Sequence, residues 1–200
     1  MRFPTLLLLL FVQSTYSQHF ATYYENGQKK MEGDSTNGSV TAWYESGKIM
    51  WNGYVKKSYP DSLYNFYYEN GNLKLTGYFK DRRKDSLWTT YDDSGRMVHS
   101  ELIRKQWPVI RHDISYHRSN QKSEEIILSM YGSPTDSSNL KVNRNWWIWY
   151  DNGQLACEVH FVNGQIKEEH YWSTKGKTIS REKWDRISGK MKKKNDEPKR

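Results

Sequence analysis

Thiol, imidazole and carboxylate groups are among the side chains of this 200-residue sequence able to act as nucleophile, general base or metal ligand. Cys157, the single cysteine, stands three residues before His160, a spacing that suggests a thiol–imidazole dyad. Along a strand, residues three apart point to opposite faces, and Cys157 alternates with Leu155 as a small buried hydrophobe does. Nothing in the local sequence supplies the positive charge that lowers a thiol pKa. His112 and His117, five apart, fall on opposite faces by the same alternation, and His160 and His170 flank a turn at Asn163-Gly164. None of these is a zinc-ligand spacing. Glu25, Glu45, Glu69, Asp93 and Asp151 form a recurrent set, each two residues before a glycine. If each recurrence adds two strands, these carboxylates lie about 10 Å apart. That is too far for shared calcium ligation at about 2.4 Å per bond, and at the limit of about 9.5 Å for a paired-carboxylate glycosidase. An acidic residue in a solvated turn accounts for the set. The sequence therefore assigns no catalytic residue, no metal ligand and no cofactor.

The elements that position these residues follow from a repeat. Tyr23-Tyr24-Glu25-Asn26-Gly27 returns as Trp43-Tyr44-Glu45-Ser46-Gly47, Tyr67-Tyr68-Glu69-Asn70-Gly71 and Tyr91-Asp92-Asp93-Ser94-Gly95. It returns again as Trp149-Tyr150-Asp151-Asn152-Gly153 and, more weakly, Trp172-Ser173-Thr174-Lys175-Gly176. A degenerate copy stands at Tyr116-His117-Arg118-Ser119-Asn120, where Asn, the next-best residue at positive φ, replaces glycine. The intervals are 20, 24, 24, 25, 33 and 23 residues, which indicates a repeat architecture. Acidic-Asn-Gly and acidic-Ser-Gly close tight hairpins, with Gly27, Gly47, Gly71, Gly95, Gly153 and Gly176 supplying the left-handed conformation. Past each turn the pattern alternates, as at Ile49 and Trp51 or Leu73 and Leu75, which means a strand with one buried face. Gly33, Gly53 and Gly77 lie six residues beyond the first glycine of their units. Polar connections are read at Asp61-Ser62-Leu63 and Asp85-Ser86-Leu87.

Two aromatic columns result. Tyr23, Trp43, Tyr67, Tyr91, Tyr116, Trp149 and Trp172 share a register and are expected to form the core of a thin sheet. The neighbouring rings, Tyr24, Tyr44, Tyr68 and Tyr150, then point the other way and make the candidate binding surface.

The order Y-Y-x-N-G-x-x-x-x-x-G-Y, a variable turn, then L-W-x-x-Y resembles the variant MORN repeat of bacterial proteins, some of which are labelled antitoxins. The resemblance covers about residues 23–176 and is strongest around Gly27, Gly47, Gly71 and Gly153. It departs at Ser62 and Ser86, where the family usually has glycine, and over residues 101–145. It implies an all-β fold in which antiparallel hairpins add side by side into an elongated, twisted single-layer sheet.

Composition agrees with a thin sheet. Aromatics make up 15% of the chain, yet the mean hydropathy is −0.99, which suits one wet face rather than a thick core. At the N-terminus, Arg2, the apolar run Leu6 to Val12 and small residues at Thr15 and Ser17 form a signal peptide over residues 1–17, cut before Gln18. The run is far shorter than the ~20 residues of a membrane span, and no later segment is long and apolar enough to be one. The expected location is therefore outside the cytoplasm: periplasm, outer surface or secreted.

The net charge of +8 includes +5 from residues 183–200 and +1 from Arg2, leaving +2 for residues 18–182. Lys190, Lys192, Lys193 and Lys194 form the basic core of a C-terminal tail (181–200) that suits an anionic surface rather than nucleic acid. Residues 178–187 are expected to form a short helix or last strand capped by Trp184, and residues 190–200 to lack order. The repeat array spans 18–180, with an irregular insertion over 122–145 that accounts for the longest interval.

The expected function is non-enzymatic binding or scaffolding at the cell envelope, with a protein or glycan partner. The resemblance adds an antitoxin or immunity role as an alternative. A glycan-active protein using Glu69 or Asp93 is the second alternative, resting on those carboxylates alone.

Overall fold

Seven turns of one geometry set the architecture. In each, the N–H of the second motif residue (Tyr24, Tyr44, Tyr68, Asp92, His117, Tyr150 or Ser173) donates to the carbonyl four residues on. The N–H of the residue three on donates back to that second residue's own carbonyl. The residue three on is a glycine with φ between 74° and 95° in six turns and Asn120 with φ 71° in the other. This is a tight loop closed by one left-handed residue, and the strand that leaves it carries a bulge, as at Lys30, Met50 and Lys74. The degenerate copy at Tyr116–Asn120 thus folds like the rest, because asparagine tolerates positive φ.

The computed structural model describes residues 18–104, 107–132 and 139–196, with the backbone alone at 107, 108 and 190–196. The strands are β1 (His19–Tyr23), β2 (Lys29–Asp34), β3 (Asn37–Trp43), β4 (Ile49–Lys56), β5 (Tyr59–Tyr67), β6 (Leu73–Lys80) and β7 (Arg83–Tyr91). They continue as β8 (Met97–Arg104), β9 (Trp107–Tyr116), β10 (Lys122–Tyr131), β11 (Lys141–Trp149), β12 (Leu155–Val162) and β13 (Gln165–Tyr171), followed by α1 (Arg181–Asp196). All strands belong to one open antiparallel sheet whose spatial order is the chain order. The protein is an all-β single-layer array of hairpin repeats.

The stretch read as an irregular insertion, 122–145, contributes β10 and the start of β11, in unbroken register from Glu124–Ile148 to Tyr131–Lys141. The long interval arises from strands of ten and nine residues with a longer connection between them. Residues 133–138 of that connection lie outside the described residues.

The opposite set of turns also differs from the sequence reading. Lys57-Ser58 joins β4 to β5 and Asp81-Arg82 joins β6 to β7, with all four residues at φ between 50° and 69°. Two consecutive positive-φ residues make the mirror-image turn that fits strand twist, although neither pair is the favoured Asn-Gly. Asp61-Ser62 and Asp85-Ser86 instead lie inside β5 and β7. There Ser62 and Ser86 occupy left-handed bulge positions at φ 67° and 60°.

One face carries most of the core. Trp51 stacks on Tyr64 at 5.9 Å between centroids, Tyr64 meets Phe79 edge-on at 5.1 Å, and Phe79 meets Trp88 edge-on at 5.0 Å. Trp88 lies flat across Gly77, where an added Cβ would come within 2.1 Å of the ring. The glycine therefore admits the indole, which is why the repeat places a glycine before its second aromatic. This file replaces the register column as the core: Tyr23 of that column is 60% exposed, and its other members are half-buried.

At the C-terminal end α1 closes this face. Ser180 Oγ accepts the Lys183 N–H at 3.4 Å as an N-cap contact. Trp184 is buried, stacking on Tyr171 at 6.0 Å and meeting Tyr150 edge-on at 6.1 Å. The helix continues to Asp196, through residues whose composition suggested no order.

Candidate functional site

The other face carries a row of polar side chains running across the strands. Glu32 pairs with Thr41, Thr41 with Asn52, Asn52 with Asn65, Asn65 with Thr76, and Thr76 with Thr89. The row goes on through Ser100, His112, Ile127, Asn145 and His160 to Glu168 on β13. Its members bond one another: Asn65 donates to Asn52 at 3.2 Å, and Thr76 Oγ1 donates to Asn65 at 2.7 Å. Such cross-strand pairs stabilise a sheet whose surface is wet. The row thus sets register, and much of its bonding capacity is already used within it.

Two residues along from the row, the same face changes character. Tyr54 and Tyr78 are exposed, the latter by 48%, and so are Leu63 and Leu87. The two hairpin tips repeat with an offset of 24 residues: Tyr54 and Tyr78, Lys56 and Lys80, Asp61 and Asp85, Leu63 and Leu87. Arg82 of one tip lies over the Tyr59 ring of the other, 3.4 Å from its centroid, which ties the tips together. Between them lies a concavity of about 310 Å³ lined by Lys56, Asp61, Ser62, Tyr78, Lys80 and Asp85, among others. A second one of about 300 Å³ shares Lys56, Asp61 and Asp81. Residues 56–61 and 80–85 hold six cationic and three acidic side chains, a net of +3, whereas residues 18–182 as a whole net +2. The basic character of the array is therefore concentrated here. The sequence reading missed this rim, although the 24-residue offset was visible in it.

Tyr24, Tyr44, Tyr68 and Tyr150, the sequence-level choice for a binding surface, are engaged elsewhere. Their hydroxyls donate to the backbone carbonyls of Trp43 (2.7 Å), Tyr67 (2.6 Å), Tyr91 (2.9 Å) and Trp172 (2.8 Å), each in the next unit. They lace successive units together. Tyr150 is buried and the other three are half-buried. The first aromatic column takes cations over its rings, with Lys29 and Lys122 each 5.5 Å from the Trp43 and Trp149 centroids.

The unit at Asp92 lacks the lacing tyrosine. Arg96 Nε donates to Asp92 Oδ2 at 2.7 Å, its guanidinium lies 4.4 Å from the Tyr116 centroid, and Nη1 donates to Asn120 Oδ1. A polar link replaces an aromatic one. Burial pushes the Asp92 carboxyl up, but hydrogen bonds from Ser94 and Arg96 outweigh it and bring it down to about 2.

The chemistry-bearing residues are placed apart. Cys157 pairs with Ile148 and Tyr171 on the core face, while His160 pairs with Asn145 on the other. Burial, followed by the charges of Glu169 and Glu158, pushes the thiol up to about 12. Histidine–carboxylate pairs do occur: His99 with Asp113 at 2.5 Å, His112 with Glu125 at 2.6 Å, and His160 with Glu158 at 3.0 Å. These span or flank neighbouring strands, and no hydroxyl or thiol joins them among the described residues. Burial raises Glu125, yet hydrogen bonds from Lys122 and His112 hold it below the usual carboxylate range. No group of three His, Cys, Asp or Glu among the described residues is placed to hold a metal ion. Residues 1–17, read as a signal peptide, and the side chains of Lys190, Lys192, Lys193 and Lys194 lie outside the described residues. Among the described residues no helix is long and apolar enough to cross a membrane.

Two segments, residues 60–81 and 148–163, match the MORN repeat variant. They cover β5 to β6 and the end of β11 through β12. No curated protein matches the chain. Among solved structures, that of TcdB2-TccC3-TEV aligns with 76% of this chain at 14% identity and a TM-score of 0.30, and the chain covers 7% of that one.

Proposed function

We propose that this chain, a variant MORN-repeat protein, is a non-enzymatic binding or scaffold protein that acts outside the cytoplasm. The observation that carries the reading is the rim: solvent-facing tyrosine, leucine, lysine and aspartate recur at fixed offset on a rigid sheet, beside a concavity open to solvent. Exposed apolar side chains flanked by charge mark recognition surfaces. The groups that nucleophilic chemistry needs are either raised in pKa, as at Cys157, or paired without a nucleophile. Location outside the cytoplasm rests on the sequence of residues 1–17.

Deletion of residues 68–91 removes one unit and joins Tyr67 to Asp92 in the same repeat register. The shortened protein is expected to fold and to capture less from glycan arrays and cell-envelope extracts than the full chain. A full-length protein that captures nothing from either overturns the binding role. N-terminal sequencing of protein recovered outside the cytoplasm should begin at Gln18; an intact Met1 there overturns the cleavage, and absence of the protein from that fraction overturns the export reading.

A further inference from the structure

The geometry points to the paired hairpin tips at Lys56–Asp61 and Lys80–Asp85 as a site for an anionic linear polysaccharide, a polymer of hexuronate type. This rests on the binding role proposed above and names its ligand class. Three features select that class.

Charge is the first. Lys56 and Lys80 are exposed and form no ion pair among the described residues, so both are open to an acidic group. Lys84, by contrast, is committed to Glu101 at 3.3 Å and to the Trp88 ring. The two concavities together are lined by Lys56, Lys57, Lys80 and Arg82 against Asp61, Asp81 and Asp85, a net of +1 that a neutral ligand leaves unanswered.

The second is the pairing of each lysine with a carboxylate and a ring. Asp61, Asp81 and Asp85 face the same concavity as Lys56, Lys80 and Tyr78. Carboxylates there repel a polyphosphate, charged at every short repeat, more than a polyuronate with one charge per sugar ring, and they accept hydrogen bonds from sugar hydroxyls. The exposed Tyr54 and Tyr78 offer flat apolar faces to the C–H side of a sugar ring.

Periodicity is the third. Equivalent groups on β4–β5 and β6–β7 are two strands apart, about 10 Å. A periodic site suits a periodic ligand, because two modest subsites then act on one chain. A peptide is disfavoured: the backbone groups of β4 to β7 are paired within the sheet, and a strand can add only at the ends, β1 or β13.

The full chain, assayed by affinity electrophoresis and calorimetry with polygalacturonate, is expected to bind, with affinity falling as salt rises. The double variant Lys56→Ser/Lys80→Ser should bind at least tenfold more weakly, and Tyr78→Ser should weaken binding with the charge intact. Dextran, a neutral glycan, and polyglutamate, an anionic peptide, should not bind comparably. Unchanged melting temperatures of the variants establish that they are folded. The inference is overturned if the lysine variant binds polygalacturonate as the natural chain does, or if dextran or polyglutamate binds equally well. It is also overturned, with the binding role intact, if polygalacturonate is ignored while another partner is captured. Capture of nothing removes both.

Discussion

His117 Nε2 lies 2.8 Å from the backbone carbonyl oxygen of Trp149, the place that a tyrosine hydroxyl takes in four other units. The imidazole thus substitutes for phenol in the lacing that joins one repeat to the next. For the ring nitrogen to donate, Nε2 must carry its proton.

Removal of a lacing hydroxyl has a defined cost. Tyr68→Phe is expected to destabilise the protein by about 0.5–1.5 kcal/mol, the net worth of one part-buried hydrogen bond. Urea unfolding checks it, with His117→Phe as the counterpart in the degenerate unit. Loss of stability in neither variant would show that the carbonyls are equally satisfied by water.

The Asp92–Arg96 link makes an acid-sensitive joint. The Asp92 carboxyl is held at about 2, below its ordinary 3.8, so its stabilisation is complete above about pH 4 and is lost as pH falls through about 2. Asp92→Asn should be less stable than the natural chain at neutral pH, with the difference shrinking below about pH 4. A difference that persists unchanged to pH 2 would place the effect elsewhere.

Ser62 and Ser86 carry the strain of L-residues in left-handed bulges. Left-handed backbone costs an L-residue about 1–2 kcal/mol, and glycine in a strand gives back about 0.5–1 kcal/mol of that as entropy. Ser62→Gly and Ser86→Gly are therefore each expected to stabilise by about 0.5–1 kcal/mol. Gly77→Ala is the opposite case, since its Cβ meets Trp88, and should destabilise by about 1–3 kcal/mol. Thermal melts separate the two signs.

Cys157 is 2% exposed, and its thiol is pushed up to about 12, so it should resist alkylation at pH 8 in the native protein and react freely in urea. Equal labelling rates in the two conditions would mean that the core under Trp184 opens readily. By linkage, the native state holds the Cys157 proton longer than the unfolded chain, so this group's contribution to stability falls as pH rises from about 9 to about 12.

The turns, the strands and their antiparallel order were legible because glycine at positive φ and period-two alternation are local signals. The bulges at Ser62 and Ser86 were not, since serine is a poor marker of left-handed backbone and Asp61-Ser62 has a more loop-like composition than Lys57-Ser58. Burial was legible only in part. Which of two adjacent rings, Tyr67 or Tyr68, reaches a neighbouring carbonyl depends on the register shift between Phe66 and Tyr67 that each turn imposes. The rim is hidden for a different reason: Lys56 and Asp85 are far apart in sequence and become neighbours only when β5 and β6 pair.

The match between spatial order and chain order has a consequence for synthesis. Each strand's first partner is the one made just before it, so every hairpin can close as it is synthesised, without waiting for distant segments. α1 follows β13 in the chain, so Trp184 can pack on Tyr150 and Tyr171 only after the strands that carry those rings are in place.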